Sequence, residues 1–401
     1  MSLNETVSAE RLHIGFFGRR NAGKSSLVNA VTGQKLSVVS PVPGTTTDPV
    51  KKAMELLPLG PVVIIDTPGY DDLGDLGALR VEKTNEVLAK TDIAVLVYDG
   101  CLGMTDEDRE LLRRLRERKL PVILAANKAD LCPAAVGSEP EAISVSARTG
   151  EGVNTLKERL ADLGRSAKAP KFILADLVSP GDTVVLVIPV DESAPKGRLI
   201  LPQQQTLREL LDLHCSALCC QPRELPALLE SLAQPPRLVI TDSQAFGTVS
   251  AMVPDTILLT SFSILFARYK GELEPFVTGA AALSRLQPGA RILISEGCTH
   301  HRQCNDIGSV KLPGWIQNYT KRSDLQFSFT SGGEFPEDLQ GYALIVHCGG
   351  CMLTEAAMHH RLAVAAAAGV PIVNYGIAIA QMHGILKKSL APFPAVQKLI
   401  P

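Results

Sequence analysis

The stretch Gly18-Arg19-Arg20-Asn21-Ala22-Gly23-Lys24-Ser25 decides the fold of the first part of the chain. It satisfies G-x-x-x-x-G-K-[ST] in full. The β-rich run HIGFF precedes it, and the apolar-periodic run SSLVNAV follows from Ser25. Strand, glycine loop and helix, in that order, form a cradle for phosphates. The glycines allow close backbone approach, and successive N–H groups at a helix start supply partial positive charge. On this reading Gly18, Asn21, Ala22, Gly23, Lys24, Ser25 and Ser26 line the phosphates of a nucleotide. Lys24 reaches the β- and γ-phosphates, and the Ser25 hydroxyl binds Mg2+.

Working outward, residues 11–164 alternate β-rich runs (HIGFFG, PVVIIDTPG, DIAVLVYDG, LPVILAANK, AISVSA) with helical ones (SSLVNAVTG, Leu79–Leu88, DEDRELLRRLRERK). Such alternation predicts an α/β fold whose parallel-rich sheet carries helices on both faces and ligands at the strands' carboxyl ends. The loops there carry further chemistry. Asp66-Thr67-Pro68-Gly69 follows VVIID; Asp66 can hold Mg2+ through water, and the Gly69 N–H can sense a γ-phosphate. Asn127-Lys128-Ala129-Asp130 follows PVILAA. The Asp130 carboxylate can accept from guanine N1 and N2, a donor pair that adenine lacks, and leaving it unpaired costs roughly 1–3 kcal/mol. Ser146-Ala147-Arg148 places the Ala147 N–H near the guanine O6. Within Gly44-Thr45-Thr46-Thr47-Asp48, Thr46 is the residue expected to complete the Mg2+ shell while the γ-phosphate is present, as an order–disorder switch. The ligand expected is therefore GTP.

These motifs resemble the translation-factor-related GTPases that include the tRNA-modification and Era-like ribosome-assembly enzymes. The resemblance rests on GRRNAGKSSLVNAV, GTTTD, DTPGYDD and NKAD. It implies that Asn21, three residues before the loop lysine, helps bind K+. Tyr70 stands where Ras-like proteins keep a water-orienting glutamine, so slow hydrolysis is expected.

Bulk properties bound the rest. The chain has 401 residues, with 45% hydrophobic, 20% charged and 4% aromatic. That length suits several domains: 1–165 for the nucleotide, 166–171 (SAKAPK) as linker, then two smaller α/β domains at 172–264 and 265–401. A formal net charge of −2 and few aromatics argue against a nucleic-acid partner. No signal segment is read at the N-terminus, which points to the cytoplasm. The apolar stretch Leu362–Ile379 is broken by Pro371 and Asn374, and reads as a buried helix followed by a strand rather than a membrane span. Nine cysteines in such a chain suit metal binding or redox chemistry more than disulfides.

Cys298-Thr299-His300 follows the run RILISE, and His347-Cys348-Gly349-Gly350-Cys351 ends the run ALIVHC. If the two runs are neighbouring parallel strands, both motifs leave the same sheet edge. Three cysteines leave one coordination place for histidine, carboxylate, water or an exchangeable ligand. An iron–sulfur cluster, a zinc ion and a set of buried thiols all remain open on spacing alone.

With the flanking TSFSILFARYKG, SEGCTHH, CNDIG and KLPGWI, the whole chain is similar to the FeFe-hydrogenase maturation GTPases. That resemblance implies a 4Fe-4S cluster on Cys298, Cys348 and Cys351, with His300, His347 and Glu296 as candidates for the fourth iron. It implies a scaffold that carries a di-iron precursor, made with two radical-SAM maturases, to the hydrogenase apoprotein, and it implies a homodimer. The alternative is an RNA-modification or ribosome-assembly GTPase with a structural zinc domain. Cys304 is a weaker neighbour of the site. Cys215, Cys219 and Cys220 are expected around the end of the helix TLRELLDLH as buried or interface thiols, and Cys101 and Cys132 as incidental ones.

Overall fold

The computed structural model describes residues 10–34, 49–57, 59–68, 87–132, 139–167, 171–190, 199–298 and 306–400. It divides into two compact units, 1–170 and 171–401. Thr46, Gly69, Tyr70, His300, Cys304 and most of Leu79–Leu88 lie outside the described residues.

The first unit is built on a six-stranded sheet. Its strands are β1 (Leu12–Phe17), β2 (Val50–Leu56), β3 (Gly60–Asp66), β4 (Ile93–Asp99), β5 (Val122–Asn127) and β6 (Ile143–Ser144), ordered β2-β3-β1-β4-β5-β6. All neighbours are parallel except β2 on β3. Every residue of β1 is buried, as expected of a central strand covered on both faces. The edge strand β2, mostly exposed and rich in lysine, is absent from the sequence reading because its run KKAME carries little apolar signal. Helix Asp106–Glu117 begins with a capping box between Thr105 and Asp108, with three acids in its first turn set against the helix dipole.

Helix Val153–Ala167 corrects one boundary. From the sequence the helix VNTLKERLADLG reads as stopping at Gly164, but it runs on to Ala167, two residues into the 166–171 linker. A Cβ on Gly164 would stand 2.3 Å from Leu59 Cδ1 and 3.2 Å from Leu12 Cδ2. The glycine is there for close packing rather than for termination.

The second unit holds two four-stranded parallel sheets. The first is ordered β10 (Leu258–Ser261), β9 (Leu238–Thr241), β7 (Thr183–Val187), β8 (Ser216–Cys220). The second is ordered β12 (Gln326–Thr330), β11 (Arg291–Ser295), β13 (Tyr342–His347), β14 (Ile372–Asn374). Leu186 and Ile240 of one sheet share a buried apolar cluster with Ile294 and Val346 of the other. Helix Phe262–Lys270 packs against both β10 and β14. Phe262, Ile264, Leu265, Phe266 and Ala267 are all buried, as a helix apolar all round requires.

The cysteine-rich segment differs from expectation. Helix Leu201–Asp212 ends before His214, whose φ of 56° turns the chain, and Ser216–Cys220 then forms edge strand β8 on β7. Neighbouring strand residues face opposite ways, so Cys219 is exposed and Cys220 half-buried, while Cys215 before the strand is buried. Leu362–Ile379 spans the end of helix Glu355–Ala367, β14 and part of helix Tyr375–Met382. Among the described residues no helix is long and apolar enough to cross a membrane.

Candidate functional sites

In the first unit, the loop after β1 ends at Gly23, which caps helix Lys24–Thr32 with φ 87° and ψ 23°. A side chain there would also meet Asn127 Nδ2 at 2.2 Å. Lys24 is buried and its Nζ donates to the Arg19 carbonyl at 2.7 Å, inside the loop it is expected to serve. Asn21, exposed, takes φ 60°. The Ser25 hydroxyl donates to Asp66 Oδ2 at 2.6 Å, which joins the first two motifs. Asp66 is fully buried and its Oδ1 has no hydrogen-bond partner. An orphaned carboxylate oxygen beside a serine hydroxyl fits a Mg2+ site, where the ion supplies the missing positive partner.

The loops after β5 and β6 are tied to each other and to the loop after β1. Asn127 Nδ2 donates to the Ala22 carbonyl at 2.9 Å, and Asn127 Oδ1 accepts from the Ala147 N–H at 3.1 Å. Lys128, with φ 72°, pairs with Asp99 at 2.6 Å. The Asp130 carboxylate is already engaged: the Ser146 hydroxyl donates to Oδ1 at 2.5 Å and Arg148 reaches Oδ2 at 2.5 Å. Ser146 first, then Arg148, hold the Asp130 carboxyl below the usual carboxylate range. Arg148 thus puts N–H donors where guanine would put its own. Because it is largely exposed, the pair contributes little stability. Arg148→Ala is expected to tighten GDP binding about two- to fivefold by removing this competitor. Titration with a fluorescent GDP analogue reads it, and weaker binding would contradict it.

Cys101 and Cys132 are joined by a disulfide, with Cα atoms 5.3 Å apart. This corrects the expectation of incidental thiols. The bond spans the loops that carry Asp99 and Asp130, and only the fold brings those loops together.

In the second unit, β11 and β13 pair in parallel with Ser295 opposite His347. Both cysteine motifs therefore leave one carboxyl edge. The Cys348 sulfur accepts from the Gly297 N–H at 3.0 Å and the Gly350 N–H at 3.3 Å. Burial first, then the charges of Cys348 and Cys351, pushes the Cys298 thiol up. Burial and then Cys348 push Cys351 up to about 12, and burial raises Cys348. Three half-buried thiols at one strand edge suit a metal centre, whose binding would release their protons. Among the described residues, no group of three His, Cys, Asp or Glu side chains forms a ready shell for a metal ion.

Glu296 is buried, and its Oε1 accepts from Tyr375 Oη at 3.3 Å. His347 is fully buried with both ring nitrogens engaged: Nδ1 lies 2.7 Å from the Cys348 carbonyl and Nε2 lies 2.9 Å from Arg361 Nη1. Since arginine can only donate, Nε2 accepts and Nδ1 carries the hydrogen. Burial above all, then Arg361, drops the His347 pKa to about 3. So placed, His347 supports the loop and offers no lone pair to a metal. Arg361, a buried cation hydrogen-bonded to Ser295 and His347, escapes sequence reading: it is the single arginine of its helix, with no motif around it.

Comparison with known proteins divides the chain in the same sense. Residues 13–128 match the family described as 50S ribosome-binding GTPase. The tRNA modification GTPase MnmE of Bordetella parapertussis is 35% identical over 158 residues, covering 39% of this chain and 35% of that protein. MnmE of Syntrophus aciditrophicus is 39% identical over 156 residues, covering 36% and 33%. The chain thus spans about a third of the length of these curated relatives. Among solved structures, a variant of Aquifex aeolicus Era bound to GDP and AlF4− aligns at 19% identity, covering 55% of this chain and 98% of that one, with a TM-score of 0.36 too low to argue from. The remainder matches differently: residues 173–271 fit the hydrogen maturase F dimerization domain, and residues 274–392 fit its tetramerization domain. Joined to a P-loop GTPase domain, these two domains account for most of the chain, which belongs to the hydrogen maturase F family of hydrogenase-maturation GTPases.

Proposed function

We propose that this chain is a scaffold that binds and slowly hydrolyses GTP, holds a 4Fe-4S cluster on Cys298, Cys348 and Cys351, and carries a di-iron precursor to an FeFe-hydrogenase apoprotein. One observation carries the reading: the β11–β13 pairing brings both cysteine motifs to one edge, where the Gly297 N–H donates to the Cys348 sulfur. Three thiolates leave the fourth iron open, and an open iron can bridge to a second metal unit and later release it. Glu296 is favoured over His347 at that iron, because both nitrogens of His347 are taken. Mg2+ is held by Ser25, Asp66 and, with the γ-phosphate present, Thr46. K+ sits at Asn21, and Gly69 senses the γ-phosphate. The working modules are 1–165, 172–264 and 265–401, with 166–171 between them, in a cytoplasmic homodimer served by two radical-SAM maturases. Edge strand β8 leaves backbone groups that a second copy can cover. Differential affinity of partners for the two nucleotide states supplies the coupling.

The test is anaerobic reconstitution with iron and sulfide, followed by metal analysis and EPR after reduction. About four irons per chain, and a signal that imidazole alters, is the expected result. Stoichiometric zinc without such a signal would support the alternative, an RNA-modification or ribosome-assembly GTPase. That alternative has support only from the GTPase matches, since residues 173–392 fit the hydrogenase-maturation domains.

A further inference from the structure

Helix Glu355–Ala367 carries a guanidinium that nothing in the proposed chemistry uses. Arg361 is 2% exposed. Its Nη1 donates to Ser295 Oγ at 3.1 Å and to His347 Nε2 at 2.9 Å. Its Nη2 donates to the Gly332 carbonyl at 2.6 Å and lies 3.4 Å from the Glu334 carbonyl. The group stacks 5.1 Å from the Phe335 ring centre. Each of these acceptors is uncharged, and among the described residues no carboxylate pairs with Arg361. A guanidinium keeps its proton near neutrality, so this group is a buried cation. A buried cation without an anion is a strongly unfavourable element of a fold unless an anion arrives later.

The anion is at hand. Ser295 and His347, the residues that hold Arg361, end the two strands whose next loops bear Cys298, Cys348 and Cys351. The His347 ring in turn donates to the Cys348 carbonyl. The buried cation thus lies one hydrogen bond from the end of each strand that presents the cysteines.

We propose that Arg361 is the resident counter-charge of the cluster: held by Ser295, His347 and the Gly332 carbonyl, it offsets the negative charge that three thiolates bring to this edge. The inference rests on the iron–sulfur reading above. Arg361 touches no reacting atom, so it is a positioning residue that acts through charge. A cluster gains negative charge when reduced, and a nearby cation favours that state. Loss of the cation must therefore lower the midpoint potential.

The experiment compares reconstituted wild type, Arg361→Gln and Arg361→Lys by iron content and by EPR-monitored redox titration. Arg361→Gln is expected to shift the midpoint to more negative potential and to retain less iron. Arg361→Lys should restore most of the potential, which a purely structural arginine would not require. Full iron with an unchanged midpoint in folded Arg361→Gln overturns the proposal. If Arg361→Gln does not fold, folded Arg361→Lys decides instead: a midpoint far below wild type there overturns it. A wild-type chain that takes up no iron sinks the cluster reading itself, a different and distinguishable failure.

Discussion

Replacing Cys348 with serine is expected to cut bound iron from about four per chain to below about one after anaerobic reconstitution, while GTP hydrolysis stays within about twofold of wild type. The substitution is clean because a serine oxygen can still accept from the Gly297 and Gly350 N–H groups that now meet the sulfur. The fold thus keeps its local hydrogen bonds and loses only the soft ligand. Cys298→Ser and Cys351→Ser should behave alike, since all three thiols share one edge and the other two act on Cys298. Circular dichroism checks the fold, iron analysis reads the cluster, and phosphate release reads the GTPase. Full iron in folded Cys348→Ser would remove this residue from the ligand set.

Lys24→Ala should do the reverse. Lys24 is the buried cation of the phosphate loop, and its Nζ is already held by the Arg19 carbonyl of that loop. Its charge is placed for the oxygens on which negative charge gathers as the γ-phosphoryl leaves. Loss of one preorganised donor of this kind costs about 10²–10³-fold in kcat. Iron uptake should be unchanged, because the cysteines belong to a compact unit with its own core. Hydrolysis within about tenfold of wild type would show that Lys24 does not carry transition-state charge.

These opposite outcomes reflect how differently the two sites are written in the chain. Gly18 to Ser25 is one contiguous stretch, and its strand–loop–helix context is contiguous too, so the nucleotide site is legible without coordinates. The alternation that encodes β1 and β3 to β5 is equally local. Gly164 misleads for the converse reason. Sequence reads a glycine near a helix end as a terminator, whereas here the close approach of Leu59 decides its identity. The run SALCC reads as the tail of a helix because the turn at His214 and the pairing with β7 lie outside any short window.

By itself the sequence determined the P-loop architecture, the Asn127–Asp130 loop after β5 and the C-x-x-C motif, because each depends on neighbours a few residues away. Tertiary structure alone decided that Ser295 lies opposite His347, that both nitrogens of His347 are occupied, that Cys101 meets Cys132, and that Arg361 is buried against Ser295 and His347. Those facts turn on strand register and on helices packed from distant parts of the chain. A buried cation is written with the same letter as an exposed one, and only the loss of water around it reveals that it must await an anion.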